Sequence, residues 1–60
     1  MTTEEDILQD GLRYFILCLE EQEQKPKYKT AEYIVHKYNV GPFTALEYVH
    51  RIQVRYTFMR

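Results

Sequence analysis

Apolar residues recur every three or four positions through the first third of the chain. At 100 degrees per residue, Ile7, Leu8, Gly11, Leu12, Tyr14, Phe15, Ile16, Cys18 and Leu19 share one arc of about 200 degrees. This spacing predicts a helix from about Thr3 to Glu23, capped by Thr2 or Thr3 with Glu5 or Asp6 at its third position. The arc is twice as wide as one core surface requires. Either this helix is central to the domain, or a second copy of the chain covers part of it.

Pro26 interrupts the pattern and biases Lys25 away from helical angles, so Lys27 to Lys29 reads as a short extended segment. Thr30 then caps a second helix that ends near Tyr38, with Ala31, Ile34, Val35 and Tyr38 inward and Glu32, His36 and Lys37 outward. Asn39-Val40-Gly41 is a tight turn with Val40 inward, and Pro42 suits the first position of a third helix. On that helix Ala45, Leu46, Tyr48, Val49 and Ile52 gather on the inner side, and Phe43, Thr44, Glu47, His50 and Arg51 on the outer. The tail changes period: Val54, Tyr56 and Phe58 alternate with Arg55, Thr57 and Met59, which predicts a strand. Its partner would be Lys27 to Lys29 or the same strand of another copy. The fold class expected is mostly α, a three-helix helix-turn-helix or minimal winged helix with a short C-terminal β-strand.

Sixty residues make a single domain, 1–60, of ordinary globular composition, 45% hydrophobic and 28% charged. The longest apolar run, Tyr14 to Leu19, is far too short for a membrane span. One cysteine excludes an internal disulfide, and with no signal peptide or lipidation motif the expected location is cytoplasmic. The net charge of −1 conceals a split, since residues 1 to 24 set Arg13 against seven acids while residues 25 to 60 set seven Lys or Arg against Glu32 and Glu47. A basic half can gather a polyanion, and an acidic half can face solvent or a basic partner.

The chemistry of an enzyme is missing from the sequence. His36 and His50 lie on different helices, Cys18 falls on a buried face, and no close Cys or His pair has metal-ligand spacing. The carboxylates of the first helix sit at its two solvated ends, with no apolar pocket to raise a pKa. Tyr14, Tyr38 and Tyr48 face inward and serve packing before base stacking. No cofactor is expected.

A short helix, a glycine-containing turn and a second helix with one exposed face is the arrangement that places a recognition helix in the major groove. The segment Lys37-Tyr-Asn-Val-Gly-Pro-Phe-Thr-Ala-Leu-Glu-Tyr-Val-His-Arg-Ile52, with Asp6-x-Leu8 at the start of the first helix, resembles the winged-helix gamma domain of the FtsK/SpoIIIE DNA translocases. The resemblance implies three helices, a small sheet and binding to a short DNA orientation sequence. Where that family carries polar and arginine DNA-reading groups, this chain has Phe43, Thr44 and Glu47. Translocation itself is not implied, because the chain has no Gly-x-x-x-x-Gly-Lys phosphate loop.

The first functional reading is a small DNA-binding helix-turn-helix protein, a regulator or DNA-transaction accessory factor working as a homodimer. Its double-stranded DNA contacts would be Lys27, Lys29, Lys37, Thr44, His50, Arg51 and Arg55, with Lys25 and Arg60 as further cations. The alternative is a protein-interaction module, for example a phage or mobile-element product that occupies a host protein. Its interface would be Phe43, Val54, Tyr56 and Phe58.

Overall fold

Helix α1, Glu4–Glu20, begins at a capping box: the Thr3 hydroxyl accepts from the Asp6 N–H at 3.2 Å, and the Asp6 carboxylate accepts from the Thr3 N–H at 3.1 Å. Glu4, Glu5 and Asp6 put negative charge on its first turn, where the exposed N–H groups favour it. It ends three residues before the predicted Glu23 because Gln22 turns left-handed, at φ 56°. The N–H groups of Gln22 and Glu23 then close back on the carbonyls of Leu19 and Cys18, a Schellman ending with glutamine at the position glycine usually holds. A computed structural model describes residues 2–59 of the chain, so the cation Arg60 lies outside the described residues.

Helix α2, Pro26–Tyr38, corrects the sequence reading at its start. Lys27 to Lys29 is its first turn and not an extended segment, and Thr30 is not its cap but a fully buried residue of its second turn. Proline at the first helical position loses no hydrogen bond, since that N–H has no partner in any helix, and its fixed φ already fits. Lys25, ahead of the proline, does not take the extended angles that this position favours and is left-handed at φ 56°. The expected end at Tyr38 holds: Asn39 adopts φ 55°, and Pro42 opens α3.

Helix α3 runs from Pro42 to Met59, so the predicted C-terminal strand, and with it any wing, is absent among the described residues. Alternation at Val54, Tyr56 and Phe58 is there, but a second row competes with it. Ala45, Val49, Ile52 and Tyr56 follow one another at helical spacing and all face the core, and nothing after Pro42 breaks the helix. Eighteen helical residues span about 27 Å, close to the 29 Å length of the whole molecule.

All three helix pairs pack against one another. Contacts between α1 and α2 run in opposite directions, Glu23 with Lys29, Tyr14 with Tyr33 and Asp10 with Lys37, so these two helices are antiparallel. The core joins Ile7, Leu8 and Phe15 of α1 to Ala31 and Ile34 of α2 and to Ala45, Val49 and Ile52 of α3. Two neighbours, α2 and α3, occupy the wide apolar arc of α1, although Leu19 at its edge is 36% exposed. Gly11 makes the close approach possible. A Cβ there would lie 2.5 Å from Ile52 Cδ1 and 3.1 Å from Ile34 Cδ1. Leu46, expected inward, is 42% exposed, because the core side of α3 is centred on Ala45, Val49 and Ile52 and leaves Leu46 at the opposite edge.

Candidate interaction surface

The cations expected to meet DNA are mostly engaged with acids of this chain. Lys29 pairs with Glu23 at 3.3 Å, Lys37 with Asp10 at 2.7 Å, Arg51 with Glu4, and Arg55 with Glu5 through two bonds of 2.6 Å. Hydrogen bonds from Arg55 hold the Glu5 carboxyl below its ordinary pKa against some desolvation, and the bond to Glu23 raises that of the Lys29 ammonium. The acidic and basic halves of the sequence therefore neutralise each other across the helices. Exposed pairs of this kind contribute little to stability, because water screens them and two long side chains must be ordered to form them. Their larger effect is on ligands: a phosphate drawn to one of these cations would also meet the carboxylate beside it. Lys27 is exposed in the first turn of α2, and Thr44 and His50 are exposed on α3.

One polar cluster ties α1 to α2. The Asp10 carboxylate accepts from the Tyr33 hydroxyl at 3.0 and 3.2 Å, from the Tyr38 hydroxyl and from the Lys37 ammonium. Partial burial raises the Asp10 pKa, but the bonds from Lys37, Tyr38 and Tyr33 and the lysine's charge outweigh it and leave the group below its ordinary value. The bond to Asp10, joined by one to Tyr33, holds Lys37 well above the usual lysine range. The Tyr33 ring stacks on Tyr14 with centroids 4.1 Å apart and planes 4° from parallel. Open grooves lie on either side of this stack, one lined by Lys29, Glu32 and His36, the other by Arg13, Ile16 and Leu17. With every hydroxyl and charge of Asp10, Tyr33, Tyr38 and Lys37 committed to another, the cluster works as a clamp between helices.

The residues expected at a protein interface separate once residues 54–58 are helical. Tyr56 turns inward, where its ring meets Phe15 edge-on at 5.7 Å. Phe43, Val54 and Phe58 point outward, 85%, 43% and 84% exposed, and Leu46 joins them. At 100 degrees per residue Phe43, Leu46, His50, Val54 and Phe58 fall within an arc of about 120 degrees opposite the core row. The same arc also carries Glu47, His50 and Thr57, all exposed, so Phe43, Leu46, Val54 and Phe58 form a broken apolar stripe along α3 with Arg51 at its border. Sequence reading found three of its members and missed Leu46, which it had placed in the core. The signal was the four-residue spacing from Leu46 through His50 and Val54 to Phe58.

Among the described residues no three His, Cys, Asp or Glu side chains come together in a way that could hold a metal ion. No described helix is long and apolar enough to cross a membrane. Cys18 is buried, and burial, followed by the charge of Glu23, raises its thiol pKa above the ordinary value. Comparison with known proteins gives no match: no family model, no curated protein and no solved structure is similar to this chain.

Proposed function

We propose that the chain is a non-catalytic binding module that works by protein–protein contact through the outer face of α3. The observation that carries this reading is the exposed stripe, headed by two phenylalanines 85% and 84% open to solvent at opposite ends of one helix. Isolated exposed apolar residues are ordinary on protein surfaces, whereas aromatic and aliphatic side chains gathered on one helix face with polar groups among them are the usual composition of an interface. Duplex DNA is the competing ligand, given the α2-turn-α3 arrangement and the likeness of residues 37 to 52 to DNA-binding gamma domains. The pairing of Lys29, Lys37, Arg51 and Arg55 with carboxylates favours protein over DNA.

Two parallel measurements test the proposal. Affinity capture with wild type, Phe43→Asp, Phe58→Asp and Lys27→Glu should give bound protein that the two aspartate variants lose and the glutamate variant keeps. Titration of fluorescent duplex DNA at low salt should show no saturable binding. Salt-sensitive DNA binding that disappears when Lys37, Arg51 and Arg55 are reversed to Glu would replace the proposal with the DNA reading. Identical capture by all four proteins would overturn it outright.

A further inference from the structure

The stripe on α3 is nearly palindromic. Phe43 and Phe58 stand at its two ends, Leu46 and Val54 inside them, and His50 and Arg51 at the midpoint of the helix, which runs from Pro42 to Met59. Laid antiparallel on a copy of itself about that midpoint, the face sets Phe43 against Phe58 and His50 against Arg51, and brings Leu46 and Glu47 beside Val54. A two-fold axis perpendicular to α3 generates this register, and the resulting contact is isologous and closes on itself.

Charge and area point the same way. In the antiparallel register Glu47, within the face of one copy, comes within one helical turn of Arg51 of the other, twice over, and a guanidinium with five donors can hold Glu4 and Glu47 together. A parallel register would set the helix dipoles side by side in the same sense. The two phenylalanines expose roughly 300 Å² between them, and Leu46 and Val54 bring the stripe to roughly 400 Å². Two stripes together with their bordering polar residues reach about 1,000 Å², the lower end of what a specific interface buries. A net charge of −1 leaves little repulsion between copies.

Building on the reading of α3 as a protein-docking face, we infer that its occupant is a second copy of this chain, packed antiparallel through Phe43, Leu46, His50, Val54 and Phe58. Sedimentation equilibrium of the full chain over a concentration series should give a mass rising to twice 7.3 kDa. Phe43→Asp and Phe58→Asp should each weaken association by at least about tenfold with helical circular dichroism unchanged, since both side chains are already in solvent. Orientation is read separately with a short thiol crosslinker, because the native Cys18 is buried. Phe43→Cys mixed with Phe58→Cys should crosslink, and neither variant should crosslink alone.

A mass of one chain at every concentration overturns the dimer; if capture of another protein still depends on Phe43 and Phe58, the docking reading stands without it. Crosslinking of Phe43→Cys with itself overturns the antiparallel register. A dimer indifferent to both aspartate variants overturns the assignment to this face.

Discussion

Replacing Gly11 by alanine sets two opposed effects against each other, and Ile52 decides which prevails. Alanine in a helix interior is favoured over glycine by about 1 kcal/mol. The added Cβ, however, would fall 2.5 Å from Ile52 Cδ1, the end of a fully buried side chain that must shift to admit it. Overpacking of this kind costs about 1–3 kcal/mol, so Gly11→Ala should destabilise by about 0–2 kcal/mol net. Ile52→Val alone removes the same Cδ1 and should cost about 1 kcal/mol. Together the two changes suit each other, because the next Ile52 atom, Cγ1, would be 3.7 Å from the new Cβ, an ordinary contact, and only Ile34 Cδ1, at 3.1 Å, would still have to give by a few tenths of an ångström. The double variant should therefore lie close to wild type, giving a favourable coupling of about 1–3 kcal/mol. Urea unfolding of the four proteins, followed by circular dichroism, measures it. Additive losses would show that Gly11 does not sit between α1 and the Ile52 side chain as described.

Three further changes probe the helix ends, the buried polar atoms and the clamp. Thr30→Val should stabilise by about 1 kcal/mol, because the Thr30 Oγ1 is fully buried without a partner of hydrogen-bonding geometry and valine keeps its shape; the Cys18 thiol lies near enough to Thr30 for a weak interaction, and a loss of thermal stability would mean that it is a working hydrogen bond. Gln22→Gly should stabilise by about 0.5–1 kcal/mol by relieving the left-handed φ of 56° at the end of α1, and a lower melting temperature would contradict that ending. Asp10→Asn should cost about 1–2 kcal/mol at neutral pH by removing the charge-assisted bonds of the clamp. Since the folded pKa of Asp10 lies below its ordinary 3.8, its contribution is complete above that value and is lost as pH falls through the folded pKa. Melting curves of the two proteins should converge at low pH, and a gap unchanged down to pH well under 3.8 would remove the clamp from the account.

Local chemistry made some elements readable and left others hidden. The Thr3 cap, the Asn39 turn and Pro42 at the head of α3 are each specified within a few residues, and each lies where the sequence places it. Pro26 was misleading because proline marks both the end of one helix and the first residue of the next, and only packing of Thr30 and Ala31 into the core selects the second role. Residues 54–58 carry β-branched and aromatic side chains, but β preference is a weak tendency, and the helical row from Ala45 to Tyr56 overrides it once Tyr56 has Phe15 to pack on. The charge split was visible in the sequence, whereas its meaning was not. Pairing of Arg51 with Glu4 and Arg55 with Glu5 spans about fifty residues and depends on how α3 crosses α1. Phe43 was recognisable as exposed; its membership of a stripe depended on α3 running on to Met59.

That continuation carries the functional reading, since a strand at residues 54–58 would put Val54, Tyr56 and Phe58 on one face and dissolve the stripe. Backbone assignment by NMR of the full chain tests it directly. Downfield Cα shifts and sequential amide–amide contacts unbroken from Phe43 through Phe58, with the Tyr56 ring close to Phe15, are the expected result. Extended-type shifts at Val54 to Phe58, with strong contacts from each Hα to the next amide, would contradict it.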